Sequence, residues 1–250
     1  MNLSDPPVST APTSKRAGPP AITLENVSKN FARFAALRGI SAEFQAARMY
    51  TILGDNGAGK TTLLRCLAGL LHPTRGKISV LGASDLRSVT GDLGYMAHPS
   101  LLYDEMSGME NLRYFAALYG IDDDERCRRA MATVGLDPGL ERRADQYSQG
   151  MRQRLSLARA VVHDPKILLL DEPFSNVDVG SGRAMVQVLG KMRDQGRTIF
   201  IVTHQAALLE GVADEFVWMS AGTIVGRTPD LASRHAGEIH VTGQPARGAL

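Results

Sequence analysis

Several features that would place a protein in a particular class are missing from this sequence. No stretch approaches the ~20 apolar residues that a membrane-spanning helix needs, and the strongest apolar run, Ile167 to Leu170, leads directly into Asp171 and Glu172. A large excess of charge of one sign is also missing, because 28 basic and 26 acidic residues leave a formal net charge of +2. So small an excess is not the basic surface that nucleic acids or anionic membranes attract. We therefore expect a chain that does not itself cross a membrane and does not bind nucleic acid.

Cysteine is equally scarce. The sequence has two, Cys66 and Cys127, and their spacing fits neither a metal site nor a disulfide framework. Cys66 falls within an apolar helical pattern, whereas Cys127 lies among charged residues. This usage of cysteine predicts a reducing, cytoplasmic setting.

The composition predicts one folded region between two weakly specified ends. Hydrophobic residues make up 44% and charged residues 22% of the chain, as is typical of globular proteins. Residues 1–20 hold five of the twelve prolines, and such a segment cannot bury enough apolar surface to offset the entropy lost on ordering. We expect a disordered leader over 1–20, a folded domain over 21–231, and a weakly ordered tail over 232–250.

The folded region alternates apolar strands with amphipathic helices, which predicts an α/β fold with a mainly parallel sheet. Short apolar runs at Met49–Leu53, Lys166–Leu170 and Thr198–Val202 are typical of buried parallel strands. Residues 99–163 contain no comparable run, so a helical subdomain is predicted there. Helical spacing of apolar residues predicts helices over Thr61–Leu71, Met109–Tyr119, Asp123–Val134, Met151–Val162 and Gly182–Arg193.

A glycine-rich segment after the first apolar run predicts a phosphate-binding loop. Residues Gly54 to Thr61 (GDNGAGKT) fit the pattern G-x-x-x-x-G-K-[ST] and lie between a strand and a helix. Glycines let backbone N–H groups turn inward, where they and the helix N-terminus cradle phosphates. Lys60 is expected to reach the β- and γ-phosphates, and the Thr61 hydroxyl to bind Mg²⁺. The predicted nucleotide-binding residues of this loop are Gly54, Asn56, Gly57, Ala58, Gly59, Lys60, Thr61 and Thr62.

Two acids follow a second buried run. Ligands of parallel sheets bind at the carboxyl ends of the strands, so Asp171 and Glu172 are expected to face the phosphate-binding loop. Asp171 is placed to hold Mg²⁺, and Glu172 is placed to act as the general base that polarises an attacking water.

Further short segments, in their order along the chain, make residues 21–228 resemble the ATP-binding subunit of an ABC transporter. Residues Tyr147 to Met151 (YSQGM) resemble the signature motif of that family, in a form similar to drug- and polysaccharide-exporter subunits. The stretch 67–82 is similar to haem-exporter subunits. The resemblance implies a P-loop NTPase core with an N-terminal antiparallel β portion and an inserted helical subdomain.

The resemblance also assigns roles to individual residues. It implies that Ser148 and Gly150 contact the γ-phosphate held by an opposite subunit, and that Asp178 lies in the loop between paired sites. It implies that His204 contacts the γ-phosphate and orients the water and Glu172. It matches Phe31 to the aromatic residue that stacks on adenine, with Phe34 as a rival.

The chain departs from the family pattern at His98. The family usually has a glutamine here, at the end of a strand, that touches Mg²⁺ and the water. Imidazole is a poorer Mg²⁺ ligand than oxygen, although it can donate a hydrogen bond to phosphate or water. His98 is therefore either a member of the metal site or a solvated loop residue.

The resemblance implies an ATPase that uses ATP and Mg²⁺ and powers a membrane ABC transporter, of exporter type, by head-to-tail dimer closure. The implied partners are a second copy of the chain and a membrane-spanning permease, which would hold the chain at the inner face of the cell membrane. The loop 99–109 resembles the groove that receives the permease, where Met96, Met106 and Met109 are either groove or core residues. The alternatives are a nonmembrane ABC ATPase acting on ribosomes or DNA, and a P-loop kinase.

Overall fold

The computed structural model describes residues 19–234. The predicted leader lies outside the described residues except for Pro19 and Pro20, and so does the predicted tail beyond residue 234. Within the described part, no helix is long and apolar enough to cross a membrane.

The first part of the domain is a small antiparallel sheet. Its strands are β1 (Pro20–Phe31), β2 (Phe34–Gln45) and β4 (Arg75–Val80), in the order β2-β1-β4. The N-terminal antiparallel portion of the predicted fold is thereby confirmed.

The second sheet has six strands in the order β5-β6-β7-β3-β8-β9. Neighbouring strands from β5 to β8 run parallel, and the edge strand β9 is antiparallel to β8. Every residue of β3, β6 and β7 is buried, because both faces of the sheet are covered. The strands are β3 (Met49–Leu53), β5 (Leu93–Met96), β6 (Ile167–Asp171), β7 (Thr198–Val202), β8 (Glu215–Ser220) and β9 (Thr223–Thr228).

Within residues 19–234, five α-helices accompany the sheets, and all five predicted helices are present within a few residues of their expected ends. They are α1 (Lys60–Leu67), α2 (Gly108–Leu118), α3 (Asp124–Thr133), α4 (Gln149–Val161) and α5 (Val179–Asp194). Helix α1 ends earlier than predicted because Gly69 adopts a left-handed conformation (φ 72°) and the chain turns there. Helices α2, α3 and α4 form the predicted helical subdomain between β5 and β6.

Alternate residues of the central strands build two hydrophobic cores. Leu168 and Leu170 of β6 pack on the side of the helical subdomain and α5. Leu169, with its neighbour Phe200 on β7, packs on the side of α1 and the small sheet. Met96 and Met109 are buried in the first of these cores, so of the two interpretations of these methionines the core one is correct.

Candidate active site

The loop between β3 and α1 has a backbone that only glycine accepts at two positions. Gly54 and Gly59 have φ values of 149° and 99°. A Cβ atom on Gly54 would lie 2.2 Å from the carbonyl oxygen of Met219, and one on Gly59 would lie 2.5 Å from that of Ala36. The glycines therefore allow the loop to pack tightly against neighbouring backbone while α1 begins directly after it.

Lys60 is folded back over this loop. Its Nζ donates hydrogen bonds to the carbonyl oxygens of Gly54 (2.7 Å) and Asp55 (2.9 Å). The first turn of α1 contains no acidic residue of its own, so the helix presents the positive end of its dipole to the loop. The loop thus combines a buried ammonium group with a helix N-terminus, which is the chemistry of a phosphate site.

The carboxyl end of β6 brings Asp171 to the start of α1. The hydroxyl of Thr61 donates a hydrogen bond to Oδ1 of Asp171 (3.1 Å). Burial raises the pKa of Asp171 above its usual value. The hydrogen bond from Thr61 and the charges of Arg65, His98 and Lys60 oppose this rise but do not cancel it. No group of three or more His, Cys, Asp or Glu suited to a metal is present among the described residues. A hydroxyl and one carboxylate nevertheless fit Mg²⁺, which usually takes one or two protein oxygens and completes its shell with phosphates and water.

Glu172, the next residue, faces His204. The backbone N–H of His204 donates to Oε2 of Glu172 (3.3 Å), and Nε2 of His204 lies 3.4 Å from Oε1. Burial raises the pKa of Glu172, and His204 acts in the opposite direction. Glu172 adopts a left-handed backbone conformation (φ 50°) and its N–H donates to the carbonyl of Val202 (2.8 Å). The turn after β6 thus aims a half-buried carboxyl group at the residue that follows β7.

The loop, Thr61, Glu172 and His204 share one cavity of about 580 Å³, whereas Asp171 is buried beside Thr61 and is not part of the lining. Three further lining residues have no individually predicted role: Ser175 and Asn176, from the segment that leads to Asp178, and Gln205, from the turn after β7. Gln205 is held by a hydrogen bond from its side-chain amide to the carbonyl of Phe174 (3.0 Å). Nine of the predicted site residues line this cavity: Asn56, Gly57, Gly59, Lys60, Thr61, Thr62, His98, Glu172 and His204. Gly54 and Ala58 belong to the loop but do not line the cavity.

The aromatic residue at the cavity is Phe34. Phe34 and Ala36, two residues apart on the same face of β2, both belong to the lining. Phe31 is outside the lining, and its ring lies 5.2 Å from Nζ of Lys29. The structure therefore favours Phe34 over Phe31 as the aromatic residue that stacks on adenine.

Ser148, Gly150 and Asp178 are outside this cavity as well. Ser148 is exposed and caps α4, since its hydroxyl accepts a hydrogen bond from the N–H of Met151 (3.3 Å). Asp178 caps α5 by accepting from the N–H of Ser181 (3.0 Å). Both side chains thus have a local structural role, and each presents a helix N-terminus to the outside of the chain.

The comparisons with known proteins agree with this geometry. Residues 37–175 match the model of the ABC transporter family. The chain is 33% identical over 217 residues to the ABC transporter ATP-binding protein NatA of Bacillus subtilis, covering 82% of this chain and 88% of NatA. It is 35% identical over 214 residues to the Fe(3+) ions import ATP-binding protein FbpC 1 of Haemophilus influenzae, covering 83% of this chain and 65% of that protein.

Solved structures support the same fold. A post-hydrolysis dimer of the ATP-binding cassette MJ0796 bound to ADP and Pi superposes with a TM-score of 0.76 at 22% identity, covering 83% of this chain and 98% of that one. The ATP-binding subunit of an ABC transporter superposes with a TM-score of 0.76 at 25% identity, covering 87% and 93%. This chain therefore belongs to the ABC transporter family, as an ATP-binding subunit with the ATPase fold and with ATP and Mg²⁺ as its ligands.

Proposed function

We propose that this chain hydrolyses ATP between two copies arranged head to tail, and that it powers a membrane transporter through a permease partner. One observation carries the proposal. The cavity is lined by the phosphate-binding loop, by Thr61 and by the pair Glu172–His204, and the hydroxyl of Thr61 bonds to the buried Asp171. Ser148 and Gly150 lie outside the cavity, at the N-terminus of α4. A second copy is the natural source of a signature motif for this cavity.

The residues of the chain divide the work of hydrolysis. The loop amides and Lys60 bind the phosphates, and the signature helix of the opposite copy adds a positive dipole end to the γ-phosphate. Mg²⁺ held by Thr61 and Asp171 would neutralise charge on the phosphate oxygens. His204 orients the Glu172 carboxylate, which accepts a proton from the water that attacks the γ-phosphorus. The γ-phosphoryl group leaves ADP and becomes inorganic phosphate.

An exposed aromatic surface supports a permease partner. The rings of Tyr103 and Tyr114 lie 4.9 Å apart, with their hydroxyls 3.3 Å apart. We call the exposed apolar residues of this region the aromatic surface: Leu101, Tyr103, Tyr114, Leu118 and Tyr119. Such a cluster on a helical subdomain fits an apolar partner helix, and it replaces the buried Met96 and Met109 as the candidate contact. A permease would hold the chain at the inner face of the cell membrane.

The direction of transport is a separate proposal. The sequence favours an exporter because of the form of residues 147–151. Several relatives bear import in their names, for Fe(3+) ions, methionine or sn-glycerol-3-phosphate, whereas NatA carries no direction in its name. The names of the relatives therefore give the exporter no support, and a transport assay decides between the two.

The hydrolysis and dimer proposals are tested by Glu172→Gln. We expect this variant to bind ATP, to lose turnover and to form a stable dimer with ATP, measured by phosphate release and by light scattering after gel filtration. Glu210→Gln, at an exposed glutamate, is the control and should behave like the unmodified chain. Unchanged phosphate release by Glu172→Gln would remove Glu172 as the base.

The partner proposal is tested by affinity capture of the full chain from detergent-solubilised membranes. We expect a protein with several membrane spans, and its loss with Tyr114→Asp. Capture of ribosomes or DNA instead would support the alternative class of nonmembrane ATPase.

The direction of transport is tested in inside-out vesicles, where the cassette faces the medium. An exporter fills the lumen with its cargo when ATP is added, and an importer does not.

A further inference from the structure

The loop that carries Leu101 and Tyr103 of the aromatic surface is held firmly against α2. Asn111 of α2 is fully buried. Its side-chain amide donates to the carbonyls of Tyr103 (3.0 Å), Met106 (3.3 Å) and Ser107 (3.0 Å), and its Oδ1 accepts from the N–H of Tyr103 (2.9 Å). Residues 103–107 therefore move with α2 as one unit.

The segment just before Ser148 runs alongside this unit. The N–H of Asp145 donates to the carbonyl of Asp104 (3.1 Å), and the N–H of Ala144 donates to that of Met106 (2.8 Å). Ser107 and Arg143 form a β-bridge. Backbone contacts thus connect the loop near the aromatic surface to the chain that leads into the signature motif.

Arg152 closes this connection from the other side of Ser148. Its guanidinium forms an ion pair with Asp104 (2.6 Å) and donates to the carbonyl of Ala144 (2.8 Å). Its backbone N–H donates to the carbonyl of Ser148 (2.9 Å) in the first turn of α4. The Arg152 side chain is 19% exposed, whereas that of Asp104 is 52% exposed. We call this arrangement of Arg152, Asp104 and Ala144 the brace.

The brace fixes the place of the exposed signature residues. Tyr147 and Ser148 lie between Ala144 and Arg152 in the sequence. The Arg152 side chain reaches back to the carbonyl of Ala144 and so links the two ends of this stretch, which limits how the N-terminus of α4 can move. Asp104 ties the same guanidinium to the loop near the aromatic surface. A displacement of that loop is therefore passed to Ser148 through this charged side chain as well as through the backbone contacts of residues 143–145.

We propose that Arg152 and Asp104 position the signature residues Ser148 and Gly150 for closure on the ATP of the opposite copy. Neither residue touches that nucleotide, so both are positioning residues. This inference rests on the proposed head-to-tail dimer. It predicts an effect on dimer closure and none on nucleotide binding by the single chain, since Arg152 and Asp104 are outside the cavity.

The test is a double-mutant cycle in the full chain carrying Glu172→Gln, with Asp104→Ala, Arg152→Ala and the two combined. The ATP concentration for half-maximal dimer formation should rise about fivefold in each variant, as expected for a partly exposed charged pair. The combined variant should rise no further, because the two residues act as a unit. The affinity of the monomer for a fluorescent ATP analogue should stay within about twofold of the parent, because the brace lies apart from the bound nucleotide.

The matched control is Asp124→Ala. It removes another ion pair of the helical subdomain, Arg113–Asp124 (2.6 Å), which does not contact the loop 103–107 in the described structure, and dimer formation should not change. Hydrogen exchange adds a readout in the monomer: the amides of Ala144 and Asp145 should exchange faster in Asp104→Ala.

Three outcomes would overturn the inference: dimer formation unchanged in Asp104→Ala, additive effects in the combined variant, or a loss of dimer that follows a loss of monomer affinity. A parent chain that stays monomeric with ATP contradicts the proposed function itself and with it the brace. A parent that dimerises normally while Asp104→Ala matches it contradicts the brace and leaves the proposed function intact.

Discussion

Phe31 and Phe34 pair with each other across the hairpin of β1 and β2, but they face different surroundings. Phe34 lines the cavity of the phosphate-binding loop, whereas Phe31 lies against Lys29. Both residues are substantially exposed, Phe34 at 58% and Phe31 at 45%, so neither is needed to fill the core. An exposed ring at the mouth of a nucleotide cavity is suited to stacking on a base.

The pair of phenylalanines gives a direct prediction. Phe34→Ala should weaken ATP binding by about tenfold, because stacking a base on an aromatic ring contributes roughly 1–3 kcal/mol. Phe31→Ala is the matched control and should leave the affinity within about twofold, because its ring has no base to stack on. Isothermal titration with ATP measures both, and equal losses in the two variants would contradict the assignment of Phe34.

His98 stands where the family usually has a glutamine, and substituting it tests whether the side chain at this position binds Mg²⁺. His98 lines the cavity, and its charge opposes the rise that burial causes in the pKa of Asp171. His98→Gln replaces a poor Mg²⁺ ligand with an oxygen donor, so we expect half-maximal hydrolysis at a severalfold lower Mg²⁺ concentration and an ATP affinity close to that of the unmodified chain. A Mg²⁺ titration of phosphate release measures this, with His98→Ala as the comparison that offers no ligand. An unchanged Mg²⁺ dependence in both variants would place His98 outside the metal site.

His163 predicts a pH dependence of stability. It is buried, its ring stacks on Tyr119 at 3.9 Å, and its Nε2 lies 3.0 Å from the carbonyl oxygen of Leu93. Burial lowers the pKa of His163 below its usual value of 6.5, so the unfolded chain takes up this proton more readily than the folded chain. The contribution to stability is therefore complete above pH 6.5 and is lost as the pH falls through the lowered pKa.

The measurement for His163 is the melting temperature between pH 7.5 and pH 5, compared with His163→Gln. Since glutamine does not titrate, the variant should lose less stability on acidification, and other titrating groups cancel in the comparison. Parallel pH profiles of the two proteins would contradict the prediction.

The two cysteines should be inert while the chain is folded. Cys66 and Cys127 are free and buried. Burial raises the pKa of Cys66 to about 11 and raises that of Cys127 as well, so the reactive thiolate form is rare. A disulfide reagent at pH 8 should label neither thiol in the native protein and both after denaturation. Rapid labelling of the native chain would show that one of these helices opens locally.

Much of the site was predictable because its chemistry is local in sequence. The loop from Gly54 to Thr61 needs glycines, a lysine and a hydroxyl at fixed spacing, and the structure has that backbone. The acids Asp171 and Glu172 follow a buried strand, and parallel topology places the ends of strands together. Helix starts were predicted only approximately: the caps Ser148 and Asp178 place the starts of α4 and α5 at Gln149 and Val179, a few residues before the predicted starts at Met151 and Gly182.

Other features depend on contacts between distant segments. The small strand β4 and the edge strand β9 have no strong apolar run of their own, and pairing with neighbouring strands makes them strands. The lining residues Ser175, Asn176 and Gln205 belong to turns whose direction is set by the packing of the sheet. The brace joins Asp104 to Arg152 across 48 positions of sequence, and no local pattern predicts such a pair.

The family, the α/β fold and the residues proposed to bind phosphate, metal and water could be inferred from sequence alone, because short-range sterics and hydrogen bonding demand those residue types at those spacings. Only the folded chain shows which aromatic ring lines the cavity, that Met96 and Met109 are buried, and which contacts hold the segment around Ser148. These depend on strand register and on which faces pack together, and several sequence patterns satisfy such long-range constraints equally well until the chain has folded.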